Sequence, residues 1–260
     1  MRRRGVARRL LAPAPHRCAR RARQALSLGL ALAALAQGAA AEIIAARFGD
    51  ETTRYPHGVL GDKVEYASLR IERGAEDDPP RLVEVHLPQD RVFEDLAPRL
   101  WDVTGDGAPE VVVVETAVGE GAQLAVYNGE GRKIAQTPHI GQTNRWLAPI
   151  GAADLDGDGH IELAYIDRPH LAKTLRIWRF YYGKLEEVAT APGLTNHMIG
   201  QDFITSGLRD CGAGPEIVTV NADWSRIMVS RLEAGVIRQR DIGAFDATTR
   251  LDAALACDLL

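Results

Sequence analysis

Three stretches of this chain carry one pattern at one spacing: WDVTGDGAPEVVVVET at 101–116, ADLDGDGHIELAYIDR at 153–168 and GLRDCGAGPEIVTVNA at 207–222. Each has an Asp/Gly-rich turn, then a glutamate, then an apolar run. The glutamates are Glu110, Glu162 and Glu216, 52 and 54 residues apart. A second mark keeps the same beat: TNRW from Thr143, TNHM from Thr195 and TTRL from Thr248, with TTRY from Thr52 before them. A period near 50 residues means that one supersecondary unit recurs and buries its apolar face on its neighbours.

Within a unit the pattern is β. PEVVVVE, AQLAVYN, IELAYID, TLRIWRFY and SRIMVSRL are short runs rich in Val, Ile, Leu and aromatics, separated by Gly, Asn, Asp and Pro. Four short strands per unit is the signature of a propeller blade. The expected fold is therefore all-β, a small β-propeller of about four blades with five as the alternative, each blade four-stranded and antiparallel. The tail RLDAALACDLL (250–260) reads as the first strand of a further unit, which would close the ring on the first blade. A β-sandwich is the structural runner-up.

The amino terminus has a different character. Residues 1–24 hold nine arginines and no acid, and ALSLGLALAALA (25–36) follows, then AQGAAA. This order predicts a secretory signal peptide over 1–41, with an uncleaved anchor as the alternative. Residues 42–260 then form a single repeat domain, periplasmic or secreted, with no stable membrane insertion after cleavage. Without the leader, 22 basic residues face 35 acidic ones, a net charge of −13. That argues against nucleic acid as a partner and suits cation binding. Two cysteines remain, Cys211 and Cys257. In an exported chain they are expected to pair, which would be worth roughly 3–4 kcal/mol, with two free thiols as the alternative.

The best-preserved turn places oxygen ligands at alternating positions: Asp154, Asp156, Asp158, the backbone carbonyl of His160, and Glu162. Four carboxylates so close repel one another, and Ca²⁺ takes six to eight such hard oxygens. An EF-hand is excluded, because its twelfth position would be Tyr165, or Val113 in the earlier turn, where a bidentate Glu is required. The earlier turn offers Asp102, Thr104, Asp106 and Glu110 and is expected to bind more weakly. The later turn has lost two ligands and gained Arg209, and is expected to bind no ion. A solvated Asp/Gly turn without metal is the alternative throughout.

The acidic motif followed by an apolar strand, repeated at blade spacing, resembles the FG-GAP/VCBS repeat family, which includes the blades of the integrin α-chain propeller. The resemblance covers about 96–222 well. It implies a propeller whose turns bind Ca²⁺ on one face. The expected function is a non-enzymatic interaction module with a protein or glycan as partner.

The sequence contains no G-x-S-x-G elbow, no H-E-x-x-H pair and no phosphate-binding loop ending in Lys-Ser or Lys-Thr. His57 and His197 fall near equivalent unit starts, with Arg145 near a corresponding position. These three could line one mouth of a central channel, either as repeated packing or as a pocket. The alternative function, a hydrolase or lyase, would place its site there.

Overall fold

The computed structural model describes residues 42–61, 63–75, 78–246 and 251–259. The signal peptide expected over 1–41 and the TTRL mark at Thr248 lie outside these residues. The expected all-β class holds: seventeen strands and one helical turn, with every strand pairing antiparallel among the described residues.

The first sheet has eight strands. β1 (Glu42–Thr52), β2 (Glu65–Ala75) and β3 (Asp78–His86) form one meander. β5 (Arg99–Trp101), β6 (Glu110–Ala117), β7 (Gly121–Tyr127) and β8 (Lys133–Gln136) form a second. The short β4 (Arg91–Phe93) bridges them by pairing with β2 and β6. The second sheet is a plain four-stranded meander of β9 (Leu147–Ala153), β10 (Glu162–Asp167), β11 (Thr174–Tyr181) and β12 (Lys184–Pro192). The third holds β13 (Leu194–Thr195), β14 (Gly207–Asp210), β15 (Pro215–Asn221), β16 (Arg226–Glu233) and β17 (Val236–Ala244).

The inner strands read as continuous apolar runs because both of their faces are covered. Side chains alternate across a strand, so each face has its own core. In β6, Val111 and Val113 pack with Leu69, Ile71 and Phe93, while Val112 and Val114 pack with Trp146, Leu147 and Leu163. In β10, Leu163 and Tyr165 join that second core, while Ala164 and Ile166 join Leu175, Leu194 and Ile217 in a third. In β15, Ile217 faces the third core while Val218 and Val220 face a fourth. The sheets are thus stacked face to face in chain order. The indole of Trp146 and that of Trp178 lie in the second core.

The two sequence marks fare differently. Glu110, Glu162 and Glu216 pair with Trp101, Ala153 and Arg209 in one register. The Thr-Asn words are not equivalent: TNRW ends just before β9, whereas TNHM begins inside β13. The conserved geometry is instead Phe93, Leu147 and Leu194, opposite Glu115, Asp167 and Asn221. In two of the three units the first strand is split after this point, by residues 94–98 and by 196–206.

Closure of a ring by a C-terminal strand does not occur among the described residues. Residues expected to form that strand make a single helical turn, α1 (Asp252–Leu255). Ala and Leu favour a helix, and Leu251 and Ala254 bury themselves in the fourth core, so α1 covers the face of the third sheet that carries Val218 and Val220. The first and last sheets meet through loops, where Gly200 N–H donates to the Val59 carbonyl at 3.1 Å. The expected Cys211–Cys257 bridge is present and ties α1 to the β14–β15 turn. Buried Arg209 adds to this tie by donating Nη1 to the carbonyls of Ala254 and Leu259, 2.6 Å each.

Candidate functional site

The acidic turns are built largely on backbone N–H groups. Asp154 accepts from the amides of Gly157 (2.7 Å), Asp158 (3.1 Å) and Gly159 (2.9 Å), and Asp158 accepts from the His160 amide. Gly157 and Gly159 sit at φ of 79° and 88°, which glycine adopts without steric cost and which turns these amides inward. Glu162, fully buried, reaches back to the Leu155 amide at 2.8 Å. The earlier turn repeats this: Asp102 accepts from Gly105, Asp106 and Gly107, and Glu110 accepts from Val103 and Thr104. Three carboxylates in each turn (Asp154, Asp158 and Glu162; Asp102, Asp106 and Glu110) therefore have a local structural task that needs no ion.

Sequence reasoning missed the counter-charge. Arg179 lies directly opposite Glu162 across the β10–β11 pair. Its guanidinium reaches Glu162 Oε1 at 2.6 Å, Asp156 Oδ2 at 2.7 Å and Asp158 Oδ2 at 2.7 Å. The third unit uses the same register: Arg231 on β16 holds Glu216 Oε1 at 2.6 Å, and Arg209 holds the other oxygen. The 102–110 turn has no such arginine, since β7 ends at Tyr127 opposite Val111 and Asn128 follows. Burial pushes the carboxyls of Glu110 and Glu162 above their ordinary range, against the hydrogen bonds they accept. Burial acts the same way on Glu216, but Arg231 and Arg209 override it and hold that group low.

The 154–162 turn still has the donors for a cation. Ligand atoms of Asp154, Asp156 and Glu162 lie within 4.8 Å of one another, a convergence the 102–110 turn does not reach. Asp156 Oδ1 is buried without a hydrogen-bond partner among the described residues. The donor set fits a hard divalent ion, in competition with Arg179 for Asp156, Asp158 and Glu162.

The second candidate lies where loops of different units converge. His57 and Arg145 line one cavity of about 310 Å³, with Trp146, Arg168, His170 and Ile199 among its other walls. His197 stands behind it, fully buried, edge-on to Trp146 and 3.1 Å from His170 Nε2 through Nδ1. His197 Nε2 donates to the Gln201 carbonyl. Burial lowers the pKa of His197, and burial together with His197 lowers that of His170 to about 4, so both rings are neutral at pH 7. His57 Nδ1 is 2.5 Å from Oε1 of Glu94, whose carboxyl burial pushes up. The walls are riveted together: Trp146 Nε1 donates to the Glu94 carbonyl at 2.8 Å, and the Asn144 amide donates to the Tyr55 hydroxyl at 2.6 Å. Asn144 and Arg168 sit at φ of 52° and 45°. A left-handed backbone at an arginine costs on the order of 1–3 kcal/mol and persists only where the surroundings enforce it.

A family model described as an FG-GAP-like repeat matches residues 102–165. That span starts at the first acidic turn, includes the second and ends inside β10, so it covers about a quarter of the chain. A search of the curated proteins finds no match. The class defined is an all-β protein carrying an FG-GAP-like repeat. Within it, the repeat suggests a β-propeller-like interaction module.

Proposed function

We propose that this chain is an exported β-propeller of four blades, stabilised by Ca²⁺, that acts as a non-enzymatic interaction module for a protein or glycan. The observation that carries this reading is the face-to-face stack of sheets within which an FG-GAP-like repeat spans both acidic turns. In it the eight-stranded sheet counts as two blades bridged by β4, and the seam is made by the loops at Val59 and Gly200.

Ca²⁺ would be held by Asp154, Asp156, Asp158, the His160 carbonyl and Glu162, and more weakly by Asp102, Thr104, Asp106 and Glu110. It would supply charge neutralisation and nothing catalytic. Because the ion binds the folded turn, its binding energy adds to folding. The hydrolase or lyase reading asks for an imidazole that changes protonation near its working pH; burial lowers the pKa of both His170 and His197, the former to about 4.

Three measurements test this reading. Amino-terminal sequencing of the exported protein should start at Glu42. The purified protein should melt lower in chelator than in millimolar Ca²⁺. A glycan and envelope-protein array should give Ca²⁺-dependent binding, with no turnover in a broad hydrolase and lyase screen. An unchanged melting temperature would remove the ion from the proposal, and turnover lost in His197→Ala would replace it with the enzyme.

A further inference from the structure

The cavity at His57 and Arg145 differs chemically from the surface around it. The chain is acidic once its leader is set aside, yet the described residues lining this cavity include Arg145 and Arg168 and no carboxylate; Glu94 and Asp167 stand just outside the lining, against His57 and Arg168, and the His170 ring is neutral. Arg168 is fixed in place: Asp167, itself buried, takes Arg168 Nε and Nη2 at 2.7 and 3.0 Å, leaving Nη1 without a partner among the described residues. Arg145 makes one hydrogen bond, from Nη1 to the Asn144 carbonyl, and no ion pair among the described residues. The left-handed backbones of Asn144 and Arg168 flank Trp146, and the Arg168 amide donates to the Trp146 carbonyl at 3.1 Å. Left-handed backbone thus occurs at Arg168 and next to Arg145, the two residues that bring guanidinium groups to this cavity.

The rest of the wall is apolar. Trp146 supplies a buried indole, and Leu171 and Ile199 stand at the rim with relative exposures of 63% and 71%. Large aliphatic side chains this exposed beside a cationic cavity suit a ligand with an anionic end and an apolar body.

We infer that this cavity binds a small carboxylate with an apolar body, its carboxylate on Arg145 and Arg168 and its body against Leu171 and Ile199. Guanidinium groups match a carboxylate geometrically, and a cavity of about 310 Å³ lies at the small end of ligand sites. The carboxylate has two sources, a free organic acid or the carboxyl terminus of a polypeptide. This inference names a ligand class for the interaction module and rests on that reading.

Calorimetric titration with hexanoate, N-acetyl-leucine, a tripeptide ending in leucine and the same tripeptide amidated tests it. The carboxylates should bind, and added NaCl should weaken them. Amidation should abolish binding of the tripeptide. Binding of the tripeptide at least tenfold tighter than hexanoate assigns the polypeptide source, and the reverse assigns the free acid. Arg145→Gln should weaken binding at least tenfold. Ile199→Glu, which places a carboxylate on the exposed rim without touching the core, should do the same with an unchanged melting temperature. Equal binding of the amide, unchanged affinity in either variant, or no binding by any carboxylate overturns the inference. The Ca²⁺ dependence of melting is read on the same samples, so a failure here is separable from a failure of the module reading.

Discussion

Arg179→Met tests how the best-preserved acidic turn is neutralised. The substitution keeps the aliphatic stem of the side chain and removes the guanidinium that spans Glu162, Asp156 and Asp158. Glu162 is fully buried, and an uncompensated buried charge costs about 3–5 kcal/mol. Arg179 is 23% exposed and Asp158 39%, so solvent screening lowers the loss to about 2–3 kcal/mol. For a domain of this size that corresponds to a fall of about 4–12 °C in Tm, read by circular dichroism in chelator. Ca²⁺ at a hundred times its Kd should then restore about 2.7 kcal/mol in the variant. It should restore less in the parent protein, where the ion has to displace Arg179. Two results would refute this reasoning: a variant melting within about 1 °C of the parent in chelator, or a Ca²⁺ shift larger in the parent than in the variant.

Other perturbations read the frame around the sites. Glu115 is buried; burial would raise its carboxyl, but Lys133, the Tyr127 hydroxyl and Arg91 hold it below its ordinary 4.5. Its contribution is therefore present above pH 4.5 and lost as pH falls through the lower folded value, and Glu115→Gln should flatten that acid limb in urea titrations while costing about 2–3 kcal/mol at pH 7. Replacing Cys211 and Cys257 by serine opens a loop spanning 46 residues and should cost roughly 3–4 kcal/mol, seen as early proteolysis of the tail beyond Ala244. Gly121 has φ of 77°, and a Cβ there would collide with the Gln142 carbonyl oxygen. Gly121→Ala should therefore cost at least about 2 kcal/mol in chemical denaturation and weaken carboxylate binding, because the neighbouring Ala122 amide holds the Arg145 carbonyl.

Much of the frame was legible in the chain. The glutamates marked the start of the inner strands because a buried carboxylate recurs with the unit, stapling its own turn at Glu110 and Glu162 and held by Arg209 and Arg231 at Glu216. The Thr-Asn words misled because they are short and polar, and the loop after Thr195 moved one of them off its equivalent position. The splits at 94–98 and 196–206 were not visible, since an interrupted strand has the same apolar content as a whole one. The tail was read as a strand, but its Ala and Leu content and its burial against Val218 and Val220 made it helical.

The candidate sites divide the same way. The spacing Asp154, Asp156, Asp158, Glu162 named a cation-capable turn, because local geometry follows from local sequence. The residue that answers its charge, Arg179, is seventeen positions further on and arrives only through the antiparallel register of β10 and β11. His57 and Arg145 could be singled out by their position in the repeat, but their shared wall, and the absence of a carboxylate from its lining among the described residues, depend on loops of three units meeting. The sequence by itself determined the repeat, the strands and the acidic turns, since each is written within a few neighbouring residues. Tertiary structure alone decided which charges face one another and where the chain's end would pack, because cross-strand register and loop convergence join residues that the sequence keeps far apart.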